Sequence, residues 1–306
     1  MTRKALSVLM VLMLTILCLP AAGLGESTPD PERDLLRLHQ INIGSADAYL
    51  LTVGDTVILV DCGTNITVPI SDNANNPPLF NYLEASGIDH VDVHFVTHWH
   101  NDHCYNVDRL AELYGTEDTI VYGASPKLLK ALDPLPVGTY MQLKDGDRLT
   151  VGPLDILCVS PPYKEEGLGA LNNNQSMNFI VTYHDIRIMF TGDYMDWSLR
   201  RRWGDTLADV DILSFPHHGI DNPLSVTKEV YKIVNPRLIL VPGGERGLIH
   251  RFAMHEAYAQ TDPVILCTRD GNILVTTDGS EIWYATQVEP GTFPLGELLP
   301  PRNNVR

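Results

Sequence analysis

The chain has 306 residues, 22 of them basic and 38 acidic, for a net charge of −16, and 44% of its residues are hydrophobic. This length accommodates one large domain or two small ones, and the composition is that of a globular protein and excludes a disordered chain. The acidic balance repels phosphate backbones, which argues against a dedicated nucleic-acid binder.

Met1 to Gly25 differs from the rest of the chain. Arg3 and Lys4 precede an apolar stretch, Ala5 to Leu19, and the small-residue segment Pro20-Ala21-Ala22-Gly23 follows. This is the pattern of a secretory signal peptide, with an uncleaved N-terminal anchor as the competing reading. Cys18 follows Leu17, where a lipidated cysteine requires a small residue. Cleavage would remove two cations and no anions, taking the net charge from −16 to −18. No later segment is apolar enough to hold the secreted chain in a membrane. Cys62, Cys104, Cys158 and Cys267 would remain, in no C-x-x-C arrangement, and both oxidised and buried free thiols fit their spacing.

Residues 26–36 read as a linker, and 37–288 as one domain. Short apolar runs predict strands at Arg37 to Ile43, Ala48 to Val53 and Thr56 to Val60, the last two joined by a Gly54-Asp55 hairpin turn. A polar loop from Thr64 to Pro78 leads to a helix from Leu79 to Ser86 and a strand from His90 to Val96. Helices follow at Val107 to Tyr114 and Pro126 to Leu132, the second with Ser125 as N-cap. The second half predicts strands at Leu154 to Val159, Met177 to Tyr183 and Ile186 to Phe190, then a helix near Trp197 to Trp203. Next come a strand at Ile212 to Phe215, a helix from Leu224 to Val234 and a strand at Leu238 to Val241. A helix around His255 to Gln260 and strands at Val264 to Cys267 and Ile273 to Thr276 complete the domain. Two strand-rich halves with intervening helices predict two sheets packed face to face with helices outside. The Pro-rich segment 289–306 reads as an irregular tail.

The run Thr97-His98-Trp99-His100-Asn101-Asp102-His103 places three imidazoles and one carboxylate in six consecutive residues directly after a strand. Imidazole and carboxylate suit zinc, and the H-x-H-x-D-H spacing is hard to explain without a metal. One loop supplies too few ligands for a catalytic pair of ions, but two later strand ends carry isolated candidates. Phe190-Thr191-Gly192-Asp193 ends one strand with a carboxylate, and Phe215-Pro216-His217-His218-Gly219 follows another with two histidines. Alone, the aspartate reads as a helix cap and the histidines as surface residues. Together with the run they read as ligands.

From roughly Leu38 to Asp278 the chain resembles the metallo-β-lactamase superfamily, and within it the metallo-β-lactamase domain of competence DNA-internalisation proteins and their secreted free-standing relatives. The matching landmarks, in order, are Ile43-Gly44-Ser45-Ala46-Asp47-Ala48, Val60-Asp61-Cys62-Gly63, the His98 to His103 run, Asn172 to Ser176, Thr191-Gly192-Asp193, His217-His218-Gly219 and His255. The resemblance implies an α/β (α+β) fold, a four-layer αββα sandwich with the metals at one edge between the sheets. It implies that His98 and His100 hold a first zinc, that Asp102, His103 and His218 hold a second, and that Asp193 bridges them. Asp61, Asn174 and Ser176 would stand behind these ligands and orient them. His255 would lie near bound substrate.

Most hydrolases of the superfamily supply a further histidine to the first metal from a strand end between Asp102 and Asp193. The histidine in that interval is His184, at a predicted hairpin turn, so an amide or water would complete a weaker first site. Cys104-Tyr105-Asn106 stands where relatives carry small residues, which implies a bulkier pocket wall. A zinc pair lowers the pKa of a water between the ions, and Asp102 would help orient it. His255 or His217 would donate to a leaving oxygen. Bridging by Asp193 implies phosphoester, thioester or lactone chemistry over β-lactams, and the chain reads first as a hydrolase of a phosphodiester or another small anionic ester. Lactonase, thioesterase or β-lactamase activity and a non-catalytic metal module are the competing readings. His100, where diiron relatives carry glutamate, favours zinc over redox iron. Trp99 reads as pocket wall or packing, Arg200-Arg201-Arg202 mainly as a solvated helix face, Gly243 to Gly247 as a flexible loop before His250, and Arg246 or His250 as a substrate contact.

Overall fold

The computed structural model describes residues 28–64, 78–124, 137–160, 173–194, 203–219, 233–243 and 262–302. The first sheet contains β1 (Leu36–Gln40), β2 (Tyr49–Val53), β3 (Thr56–Val60), β4 (Val93–Val96), β5 (Ile120–Gly123) and β6 (Thr139–Gln142). It is extended by β14 (Ile273–Thr277), β15 (Ile282–Ala285) and β16 (Glu297–Leu298). The second contains β7 (Arg148–Val151), β8 (Leu154–Cys158), β9 (Phe179–Tyr183), β10 (Ile186–Phe190), β11 (Ile212–Ser214), β12 (Leu238–Val241) and β13 (Val264–Cys267). Strand order is β16-β15-β14-β1-β2-β3-β4-β5-β6 in the nine-stranded sheet and β13-β12-β11-β10-β9-β8-β7 in the seven-stranded one.

Each sheet is antiparallel over one part and parallel over the other. Pairing turns parallel from β3 to β6 and from β10 to β13. Parallel neighbours need long crossovers, which carry the helices. Between β3 and β4 lies α1 (Pro78–Ala85), and between β4 and β5 lie the single turn α2 (Asn101–Cys104) and α3 (Val107–Tyr114).

Side-chain alternation sets the layers. Leu38, Leu51, Ile58 and Phe95 point between the sheets, where they meet Ile156, Phe179, Ile188 and Phe190. Phe179 lies 4.6 Å from Phe95 and 5.1 Å from Phe190, ring centre to ring centre. The intervening Leu50, Val57, Leu59 and Val96 pack outward against Leu79, Tyr82 and Leu83 of α1 and Leu110 of α3. On the far side, Ile180, Met189, Leu213 and Ile239 pack under Leu207, Val210 and Val234. Central strands are therefore apolar on both faces. Three apolar interfaces between two sheets and their outer coverings make the αββα sandwich that the sequence predicts.

Predicted strands and the helices at 79–86 and 107–114 recur within a few residues. The predicted helix at 126–132 lies outside the described residues, as do those at 197–203, 224–234 and 255–260 apart from Trp203 and the residues Ile233 and Val234. Five strands are additions: β5, β6, β7, β15 and β16. The segment from residue 289, read as an irregular tail, joins the domain as far as Arg302. Glu297–Leu298 pairs with β15, and Leu299 is buried and donates its N–H to the Ile282 carbonyl over 2.7 Å. Arg302 reaches the Asp211 carboxylate at 2.9 Å. Among the described residues, Cys62, Cys104, Cys158 and Cys267 form no disulfide with one another, and all but the partly buried Cys104 are buried. Among the described residues, no helix is long and apolar enough to cross a membrane.

Candidate metal centre

Four strand ends meet at one edge of the sandwich. Asp61 follows β3, the His98 to His103 run follows β4, Asp193 follows β10, and His217 and His218 follow β11. The backbone of the run is held by amides of neighbouring loops. Asp47 N–H donates to the Asp102 carbonyl (2.9 Å), Cys62 N–H to that of His103 (2.7 Å) and Thr64 N–H to that of Asn101 (3.1 Å). Gly63 passes so close that a Cβ there would lie 1.8 Å from the Asp102 carbonyl oxygen. Glycine is required at this position by close approach.

Asp61 ties the two strand ends together. Its carboxylate accepts from Thr97 N–H and Thr97 Oγ1, both at 2.7 Å, and lies 2.8 Å from His103 Nδ1. Asp193 N–H donates to Ser176 Oγ at 3.1 Å, and the same hydroxyl lies 3.3 Å from His98 Nδ1. His217 and His218 both have left-handed backbone, with φ of 55° and 52°. Such strain in two consecutive non-glycine residues is common at functional sites.

The six predicted ligands converge as two groups that share one carboxylate, Asp102, His103, Asp193 and His218 in one and His98, His100 and Asp193 in the other. Within each group the donor atoms lie within 4.8 Å of one another. Asp193 Oδ1 is 3.0 Å from His103 Nε2 and 3.5 Å from His218 Nε2, while its Oδ2 is 3.6 Å from His98 Nε2. His103 Nε2 and His218 Nε2 are 3.1 Å apart, and Asp102 Oδ2 lies 3.2 Å from His218 Nε2. His98 Nε2 and His100 Nδ1 are also 3.1 Å apart. Asp193 Oδ1 is buried and makes no well-directed hydrogen bond among the described residues. Ring nitrogens facing each other and a buried oxygen aimed at them form an arrangement that a divalent cation satisfies.

Electrostatics agree with the geometry. Burial alone would raise the Asp102 and Asp193 carboxyls, but His218 and His103 hold Asp102 at about 2 and the histidines keep Asp193 well below the usual range. Burial pushes His98 well down, so its ring is neutral with a lone pair free to bind. Burial also opposes charge on His103 and His218. The carboxylates around them win, raising His103 well above its usual value and His218 to about 10. A cation entering this group takes the place of protons.

His217 sits at the rim, half-buried. Its Nε2 is 3.8 Å from Asp193 Oδ2 and 3.3 Å from Asn173 Nδ2, and burial lowers its pKa. Asn174 stands beside Asn173 in the turn Asn173–Gln175. Trp99 is 39% exposed between His98 and His100. His184 is exposed in the turn between β9 and β10, at the opposite end of β10 from Asp193. His255, Arg200 to Arg202, Arg246 and His250 lie outside the described residues. Asp47 received no role from the sequence. Its Oδ1 lies 2.9 Å from His218 Nδ1, a close charge contact behind that ring, though without the aligned hydrogen bond that Asp61 makes to His103. The signal was present in the Ile43 to Ala48 landmark, as one carboxylate in an otherwise small or apolar segment.

Two His/Asp groups at the edge of an αββα sandwich define a class of metal-dependent hydrolase folds. A family model described as the Beta-lactamase superfamily domain matches residues 56–231, more than half of the chain, and the chain belongs to this superfamily. A putative metal-dependent hydrolase from Parabacteroides distasonis is 19% identical over 77% of this chain and 94% of its own, with a TM-score of 0.51. The metallo-β-lactamase fold protein YhfI from Bacillus subtilis is 16% identical over 83% of this chain and 100% of its own, with a TM-score of 0.53. A variant of the β-hydroxylase CmlA is 14% identical over 78% of this chain and 53% of its own, with a TM-score of 0.51. CmlA is described as a diiron enzyme of Streptomyces venezuelae. These likenesses show the shared fold. Compared by sequence with curated proteins, the chain matches none.

Proposed function

We propose that this chain is an exported, zinc-dependent hydrolase of small anionic esters, phosphodiesters foremost, related to the metallo-β-lactamase domain of competence DNA-internalisation proteins. The observation that carries the reading is the division of Asp193. One carboxylate oxygen faces His103 and His218 and the other faces His98. A single buried anion serving both groups calls for two cations close together. Bound divalent cations would supply Lewis acidity for a developing oxyanion and a water of lowered pKa.

The remaining tasks fall to the chain itself. Asp102, 20% exposed and held ionised, accepts hydrogen bonds on the open side of the centre. His217 presents a ring N–H or lone pair to a leaving group at the rim. The segment Arg3 to Gly23 supports export, and the charge of −18 after cleavage turns the chain away from nucleic acid as a partner. The all-His and Asp donor set of the His98/His100 group supports zinc.

Metal analysis of the purified chain beside assays with bis-p-nitrophenyl phosphate, a lactone, a thioester and a β-lactam tests this. Two zinc equivalents with the phosphodiester as best substrate is the expected result. Tight metal with no turnover on any ester would make the chain a metal-binding module. Two irons would overturn the zinc assignment.

A further inference from the structure

The two groups are backed very unequally. Behind His103 stands Asp61, at 2.8 Å from Nδ1, and behind His218 stands Asp47, at 2.9 Å from Nδ1. Asp47 Oδ2 also lies 3.9 Å from His103 Nδ1, and both carboxylates are almost fully buried. Behind His98, among the described residues, stand hydroxyls and no carboxylate, Thr97 Oγ1 at 3.2 Å and Ser176 Oγ at 3.3 Å from Nδ1. The His103/His218 side thus gathers four carboxylates, Asp47, Asp61, Asp102 and Asp193, whereas the His98/His100 side faces one oxygen of Asp193.

Carboxylates behind ligating imidazoles fix their tautomer and raise their basicity, and burial keeps their charge unscreened. Asp47 supports the same group twice. Its carboxylate faces His218, and its N–H holds the Asp102 carbonyl at 2.9 Å.

On the reading that both groups hold divalent cations, we infer that they load in a fixed order. The Asp102/His103/Asp193/His218 group is the tight site that fills first, with Asp47 as a positioning residue for it, and the His98/His100/Asp193 group is the exchangeable site.

Titration of the chelator-stripped protein with cobalt, followed by visible absorption and by competition with a chromophoric chelator, reads this directly. Two phases are expected, separated by at least tenfold in affinity. Asp47→Asn should weaken the tight phase by about 10 to 100-fold. His100→Ala should remove the weak phase and leave the tight one, and Ser176→Ala should move only the weak one. Two equal phases, or loss of the tight phase in His100→Ala, overturn the order. Asp47→Asn with an unmoved tight phase overturns the role of Asp47. Circular dichroism of the stripped protein reports whether Asp47→Asn folds, and if it does not, wild type, His100→Ala and Ser176→Ala decide the order. Wild type that binds no metal overturns the metal reading as well, so the two failures are distinguishable.

Discussion

Gly63→Ala is the smallest change that should disable the centre without touching a ligand. The added Cβ would lie 1.8 Å from the Asp102 carbonyl oxygen and 2.7 Å from His103 N. Close carbon–oxygen contacts stop at about 3.3 Å, so one backbone or the other must retreat by roughly 1.5 Å. Neither can do so cheaply. The Asp102 carbonyl accepts from Asp47 N–H, and Gly63 N–H donates to the Asp47 carbonyl at 3.1 Å. Overpacking of this kind costs about 1–3 kcal/mol, or roughly 2–12 °C in Tm for a domain of this size. The effect on metal should be larger in proportion, because sites tolerate ligand displacements of only about 0.5 Å. Thermal melts with and without zinc, beside zinc content, measure both. A Gly63→Ala protein that melts like wild type and keeps its full metal complement would refute this account of the loop.

Asp193→Ala should lower metal content and hydrolysis together, measured by elemental analysis and ester assay, and retention of both would remove Asp193 from the centre. The metal-free protein should melt highest near about pH 6.5. His218, raised from 6.5 to about 10, stabilises fully below pH 6.5 and loses this as pH rises toward 10, whereas His39 and His94, held neutral by burial and lowered from 6.5 to about 3, cost stability as pH falls from 6.5 toward 3. Saturating zinc should flatten the alkaline decline of Tm, and a metal-free Tm that rises from pH 7 to 9 would contradict it. Arg302→Ala removes hydrogen bonds to the Asp211 carboxylate and the Asp209 and Asn235 carbonyls, and should cost about 1.5–3 kcal/mol in urea unfolding. No change there would mean that the C-terminal segment is not clamped. His184→Ala should leave metal content unchanged, since that ring is exposed at the far end of β10, and a loss would reveal a distant ligand.

Strands such as Thr56–Val60 and Leu238–Val241 were legible because burial on both faces makes them continuous apolar runs. Thr139–Gln142 and Arg148–Val151 were not. They lie at sheet edges, alternate between exposed and half-buried residues, and owe their conformation to one partner strand. Glu297–Leu298 is shorter still and becomes a strand only because Leu299 is buried beside β15. In the centre, His98, His100, Asp102 and His103 announce themselves by crowding, but nothing in Ala46-Asp47-Ala48 separates a carboxylate behind an imidazole from one in a turn.

The sequence by itself determined the donor chemistry and the family, because residue types and their spacing along a strand end are properties of the covalent chain. Only the tertiary structure decided how the donors divide. Which oxygen of Asp193 faces His98 and which faces His103, and that among the described residues Asp47 and Asp61 stand behind one group, follow from the packing of β3, β4, β10, β11 and the segment before β2 at one edge. Contacts between residues more than a hundred positions apart, such as His103 and His218, are set by the burial of the apolar faces between the sheets and leave no local trace.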